Sequence, residues 1–153
     1  MTQAGWPRAA LLLLAAGTAA AAPEADRRLG ERLFLEGLNA RGEPVRALVG
    51  LPPVPLTGEK AACGECHSLG TDTPTAGRDA APDLAWSALA ASAADRGARA
   101  PYGDAAFGRA VSEGISPTGG TLSVAMPRYA LSRSELAALA AFLKAPRSGA
   151  ATK

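Results

Sequence analysis

Apolar residues recur at helical spacing near the start of the chain, from residue 24 to about residue 38. Leu29 and Leu33 are four positions apart with Phe34 beside them, which predicts an amphipathic helix. Gly30 lies on the same face as Phe34, and a glycine inside a helix costs about 1 kcal/mol relative to alanine. Close packing of a second helix at this position would account for the glycine.

The apolar pattern is clearest in the last part of the chain. Leu136, Leu139 and Leu143 form a stripe at helical spacing. The preceding Ser132-Arg133-Ser134-Glu135 has the form of a capping box, in which the serine and glutamate side chains bond backbone amides at the start of a helix. Pro146 marks the end of this predicted helix.

Proline and glycine interrupt the pattern between residues 39 and 60, where they recur every few positions. Repeated Pro and Gly exclude a regular helix. We expect a loop that covers hydrophobic surface, and a small irregular hairpin made of residues 44–49 and 54–56 is the alternative. In either case the segment is an insertion between the first helix and everything that follows.

The middle of the chain mixes short helical patterns with loops. The alanine-rich stretch from Trp86 to about Ala94 favours a helix. A second short helix is predicted from a capping Asp104 to a terminating Gly114. Residues 115–130 are again rich in Pro and Gly, so we expect them to form a loop.

The first 21 residues have the layout of a secretory signal peptide. Arg8 precedes the apolar run of residues 9–16, and small residues follow it. We expect cleavage after Ala21 or Ala22, and export would make the protein periplasmic. An uncleaved anchor helix is the alternative, although the run is short for a membrane span, which needs roughly 20 apolar residues.

The composition is that of one small exported domain. The chain has 153 residues, a formal net charge of +2 and 48% hydrophobic residues. Removal of the signal leaves residues 22–147 as a single domain and residues 148–153 as a disordered tail. The sequence has no basic run or aromatic-interleaved patch that would indicate a nucleic-acid partner. The composition is more consistent with protein partners that bind through a local patch of charge.

Cys63-Gly64-Glu65-Cys66-His67 has the most specific chemistry in the chain, because its spacing is that of a c-type haem attachment site. On a short helix the two thiols and the imidazole would point to one side. They would then reach the two vinyl groups at one porphyrin edge and the iron. A thioredoxin-like pair needs a βαβ context, a structural zinc site usually has four ligands, and a disulfide leaves His67 unexplained. We therefore predict one covalently bound haem c.

The second axial ligand of such a haem follows by elimination. His67 is the only histidine, which excludes a second histidine from the same chain. Met1 leaves with the signal peptide, so Met126 is the remaining methionine. Pro127 restrains Met126 toward an extended conformation, and an extended loop can hold a thioether over a flat cofactor. A lysine ligand or an open sixth position stays open as an alternative.

At this point the sequence resembles the class I cytochrome c family. The shared features are a first helix, a C-x-x-C-H motif, a later loop with Met-Pro and a C-terminal helix. The resemblance implies that Cys63 and Cys66 form the thioethers, that His67 is the proximal iron ligand and that Met126 is the distal one. It also implies that the Pro82 carbonyl accepts a hydrogen bond from the far nitrogen of His67, which would fix the ring.

The resemblance further implies a fold. The expected architecture is all-α, a cytochrome c fold of about four to five short helices around one haem. Gly30 and Phe34 would contact the terminal helix near Phe142. One feature departs from compact members of the family, in which the motif follows the first helix almost directly: here Cys63 comes 29 positions after Phe34. The intervening residues 39–60 place the docking face in doubt but leave the haem ligands intact.

The function expected from these features is single-electron transfer between proteins, without catalysis of substrate chemistry. The partners would be a redox donor and acceptor, such as a dehydrogenase or a terminal oxidase, with membrane contact only through partners or an uncleaved signal. Trp86, Tyr129 and Arg128 are candidates for contact with the haem or its propionates. Two alternatives are a haem sensor or gas- or peroxide-binding protein, if Met126 is labile, and a fixed cytochrome subunit of a membrane-associated dehydrogenase.

Overall fold

The computed structural model describes residues 21–70, 81–91 and 100–146. The regular elements, in chain order, are α1 (Ala21–Leu35), β1 (Arg46–Val49), β2 (Val54–Thr57), α2 (Trp86–Ala90), α3 (Asp104–Glu113), β3 (Arg128–Tyr129) and α4 (Arg133–Lys144). The apolar run of the predicted signal peptide and the predicted disordered tail lie outside the described residues. Within the described ranges, no helix is long and apolar enough to cross a membrane.

The prediction of an all-α fold is wrong. The described residues contain four α-helices together with a three-stranded antiparallel sheet in the order β2-β1-β3, so the fold is mixed. Proline and glycine exclude a regular α-helix in residues 39–60, but they leave four-residue strands free to pair. The third strand has only two residues and comes from the loop expected between residues 115 and 130.

The 39–60 insertion is a hairpin rather than the covering loop we expected. Strands β1 and β2 pair from Arg46 opposite Thr57 to Val49 opposite Val54. On its other edge β1 pairs with β3, where Ala47 faces Tyr129. Both residues of this last pair are buried, so one face of the sheet covers the hydrophobic core. The insertion is thus part of the packed domain.

Helices α1 and α4 pack closely, as the glycine in α1 indicated. A Cβ atom added at Gly30 would lie 2.1 Å from the carbonyl oxygen of Ala138 and 2.6 Å from the Cβ of Phe142. One turn further along, the rings of Phe34 and Phe142 meet with their centroids 5.6 Å apart. Only a residue without a side chain permits this approach. The predicted contact of Gly30 and Phe34 with the terminal helix is therefore present.

The start of α4 has the capping box that the sequence predicted. The Ser132 side chain accepts a hydrogen bond from the Glu135 amide at 3.3 Å, and the Glu135 carboxylate accepts one from the Ser132 amide at 2.8 Å. The same carboxylate accepts a bond from the Ala40 amide. Burial opposes ionisation of Glu135, but these hydrogen bonds outweigh it and hold the pKa of the carboxyl below its ordinary value. This residue therefore ties the segment after α1 to α4.

The shorter helices differ from prediction in their boundaries. The N-cap of α3 is Gly103, so Asp104 is the first helical residue rather than the cap. The helix ends at Gly114, as predicted, in the left-handed conformation with φ 71°. Helix α2 ends at Ala90, short of the predicted Ala94, and residues 92–99 lie outside the described ranges. Local signals located each helix to within a few residues.

Candidate functional site

The Cys-x-x-Cys-His segment forms a short helical turn of the 3-10 type. The turn spans Cys63–Glu65, and the Cys63 carbonyl accepts hydrogen bonds from the amides of Cys66 at 3.2 Å and His67 at 3.0 Å. Residues three apart eclipse one another in a 3-10 turn. The two cysteines therefore leave the backbone on the same side.

Both cysteines lie in the described part of the chain, and neither forms a disulfide. Cys63 is half-buried and Cys66 is exposed. Burial raises the pKa of the Cys63 thiol to about 12, more than a hydrogen bond with Tyr129 lowers it. A nucleophilic cysteine of a thiol–disulfide motif has a lowered pKa, so this environment does not suit a thioredoxin-like pair.

The imidazole of His67 has a defined orientation. Its Nδ1 atom lies 2.8 Å from the carbonyl oxygen of Pro82, which is the contact implied for Pro82 by the resemblance. A carbonyl oxygen can only accept, so Nδ1 carries the proton and, in the neutral ring, Nε2 holds the lone pair. The Pro82 segment is itself held, because the Leu84 amide donates to the Ser68 carbonyl at 3.0 Å. This arrangement is common for metal-binding histidines.

The motif docks on the end of α1 through a contact that sequence reasoning missed. A Cβ atom at Gly64 would lie 3.2 Å from both the ring and the carbonyl oxygen of Phe34. The chain makes a second close approach at Gly37, where a Cβ atom would lie 2.0 Å from the Gly58 carbonyl oxygen. The glycine between the two cysteines was the available signal, since a close backbone approach is one of the few reasons to place glycine there.

Met126 lies in a turn, where we had expected an extended loop. Its amide donates to the Ser123 carbonyl at 3.1 Å, and the chain becomes extended at β3 after Pro127. Met126 is half-buried and packs against the hydrophobic core. Cys63 is also half-buried and packs against the same core. The structure therefore places the thioether and the first thiol at the margin of one apolar cluster.

The two aromatic candidates have different surroundings. Tyr129 lies on the inner face of the sheet, and its hydroxyl group and the Cys63 thiol form a hydrogen bond. Trp86 opens α2 and packs edge-on against Phe107, with ring centroids 5.9 Å apart. The Lys144 ammonium lies 4.5 Å from the centre of the Trp86 ring. The structure thus brings Tyr129 to the attachment motif and Trp86 to the packing of the helices.

The donor set fits a covalent haem better than a bare metal ion. In residues 21–70, 81–91 and 100–146, no group of three or more His, Cys, Asp or Glu side chains is arranged to hold a metal ion. A haem iron needs only two axial donors from the protein. Two unpaired thiols on one side of a turn and an oriented imidazole supply the remaining requirements. The apolar residues at the margin of the core provide the surroundings that a porphyrin face needs.

Comparisons with models of known protein families, with curated proteins and with solved structures find no match to this chain.

Proposed function

We propose that this protein is a periplasmic monohaem c-type cytochrome that carries single electrons between redox proteins, with the function of a class I cytochrome c. One observation carries the proposal. Cys63 and Cys66 are unpaired on one side of a tight turn, and the following His67 has its Nδ1 atom 2.8 Å from the Pro82 carbonyl. A disulfide or a thioredoxin-like pair leaves His67 without a role, and a structural zinc site would need a fourth ligand.

Each residue of the site has a defined task. The Cys63 and Cys66 thiols would each add across one vinyl group, with the sulfur bonding one carbon and the hydrogen the other, so attachment would need no oxidant. His67 would bind the iron through Nε2, with its ring fixed by the Pro82 carbonyl. Met126 would supply a thioether sulfur as the second protein ligand. The haem would supply one-electron redox chemistry at a reduction potential that thioether ligation raises.

With His67 and Met126 both bound to the iron, no coordination position would stay open, which supports an electron carrier. The partners are then a redox donor and an acceptor that meet the protein in weak, transient encounters with small interfaces. The signal-like residues 1–21 support a periplasmic location, where the donor and acceptor would also be found.

The direct test is a pyridine haemochrome spectrum combined with intact mass, on protein exported in a host that matures c-type cytochromes. We expect one haem per chain that acidified organic solvent does not extract. The mass should equal that of the chain without its first 21 or 22 residues plus one haem. A processed chain whose mass lacks the haem after export through an active maturation system would overturn the proposal.

The distal ligand is tested by a Met126→Ala variant. The oxidised native protein should show the weak long-wavelength band of sulfur-to-iron charge transfer, and the variant should lose it together with part of its reduction potential. Val124→Ala is the matched control, because Val124 is an exposed residue of the same turn. Absence of this band in the native protein would exclude Met126 as the ligand and overturn the carrier function. An open sixth position would then favour the sensor or gas-binding function.

A further inference from the structure

Arg128 directly follows the Met126-Pro127 pair and turns its side chain back onto the loop that contains them. Its Nη1 atom donates to the carbonyl oxygen of Met126, and its Nη2 atom donates to the carbonyl of Leu122 at 3.1 Å and of Ser123 at 3.4 Å. A guanidinium group offers five donors in a rigid fork. One side chain therefore joins both ends of the turn that carries Met126.

The guanidinium group of Arg128 packs against the C-terminal end of helix α3. Gly114, the C-cap of α3, has a φ of 71°, and a Cβ atom built on it would lie 1.8 to 2.2 Å from three guanidinium atoms of Arg128. The guanidinium thus lies directly on the glycine backbone. The Gly114 carbonyl also accepts a hydrogen bond from the Leu122 amide at 2.8 Å. The loop, the arginine and the end of α3 form one packed unit.

The sheet fixes the same loop from its other side. Arg128 pairs with Leu48 as part of β3, so the backbone that bears the guanidinium is anchored to β1. The Gly50 amide at the end of β1 donates to the Val124 carbonyl at 2.9 Å. The hairpin of the 39–60 insertion and the Arg128 side chain therefore both restrain this short turn.

We propose that Arg128 is a positioning residue for Met126, with its guanidinium acting as a three-carbonyl clamp that holds the thioether in place for the iron. This inference rests on the proposed function, since the clamp matters chemically only where Met126 is a ligand. Its role differs from that of a residue which binds a haem propionate, because its donors are directed at the loop backbone. The clamp also implies a role for the 39–60 insertion, whose hairpin would support the loop that contains the distal ligand.

The test uses Arg128→Met and Arg128→Lys in the haem-loaded protein, with two measurements. Hydrogen exchange should show the Met126 amide exchanging at least about tenfold faster in Arg128→Met, because hydrogen bonds to a charged group are lost. The pH at which the sulfur-to-iron band disappears should fall in the same variant. Lysine keeps the charge but places its donors on one nitrogen, so Arg128→Lys should restore neither measurement fully.

Two further variants separate the clamp from general effects. Arg109→Met removes an exposed arginine from α3 and should leave both measurements unchanged. Gly114→Ala places a methyl group where the guanidinium lies and should reproduce the effect of Arg128→Met on the Met126 amide.

The outcomes distinguish this inference from the proposed function. The exchange rate of the Met126 amide reports on the clamp whether or not the native protein shows the sulfur-to-iron band. A missing band therefore counts against the proposed function alone. Unchanged exchange of the Met126 amide in Arg128→Met would overturn the clamp. Full rescue by Arg128→Lys would also overturn it, since a charge without the fork would then suffice. Faster exchange with an unchanged band would show that the clamp does not position the ligand and would overturn the proposal as well.

Discussion

Replacement of both Cys63 and Cys66 by alanine is expected to abolish covalent haem attachment completely. The two thiols leave the same side of one 3-10 turn, and the chain contains no other cysteine to take their place. Without thioethers a haem would be held only by its axial ligands and by apolar contact. The haemochrome spectrum should then revert to that of a haem with two free vinyl groups, and intact mass should show the bare chain.

Single replacements should give an intermediate result that identifies each thiol. Cys63→Ala and Cys66→Ala each leave one thioether, so the haem stays on the chain in reduced yield, with one vinyl group unreacted. Tyr129→Phe is the matched control, because it removes the hydroxyl bonded to Cys63 while keeping both thiols. If the double variant retained haem through denaturation, attachment would involve other residues and the central assignment would be wrong.

The fold was predictable where its signals are local. The capping box before α4 and the glycine at the end of α3 each act within a few residues, and both lie at the predicted helix ends. The β1–β2 hairpin matches the alternative prediction for residues 44–49 and 54–56, but the complete sheet was not predictable in this way. Its β1–β3 pairing joins Ala47 to Tyr129, far apart in the sequence, and β3 is only two residues long. No alternation of polar and apolar residues can appear in so short a strand.

The same difference between local and long-range signals applies to the candidate site. The spacing of Cys63, Cys66 and His67 is a local pattern, so the turn that contains them was predictable even though its 3-10 type was not. The contact of Gly64 with Phe34 and the seat of Arg128 on Gly114 were missed. Both depend on backbone approaches between distant segments, and the sequence marks them only by a glycine. A glycine indicates that something lies close without indicating what it is.

Substitution of Gly30 by alanine is expected to destabilise the protein, although it adds only one methyl group to α1. The added Cβ would lie 2.1 Å from the Ala138 carbonyl oxygen and 2.6 Å from the Phe142 Cβ. Neither atom can move without separating α1 from α4, because one belongs to the backbone and the other is fixed to it. Overpacking of this kind costs typically about 1–3 kcal/mol. That cost exceeds the gain of about 0.5–1 kcal/mol from replacing glycine by alanine in a helix.

Gly108 in α3 provides a control with the opposite sign. A Cβ atom there would lie 3.7 Å from the Leu136 Cδ1, an ordinary van der Waals distance. Gly108→Ala should therefore be neutral or should stabilise the protein by up to about 1 kcal/mol, because only the helix propensity changes. Denaturant unfolding followed by circular dichroism measures both variants, with midpoints compared at equal slope. Equal midpoints for the two variants would mean that α1 and α4 do not approach closely at Gly30. A drop for Gly30→Ala alone would confirm a close helix contact one turn from Phe34, the residue against which Gly64 of the Cys-x-x-Cys-His turn packs.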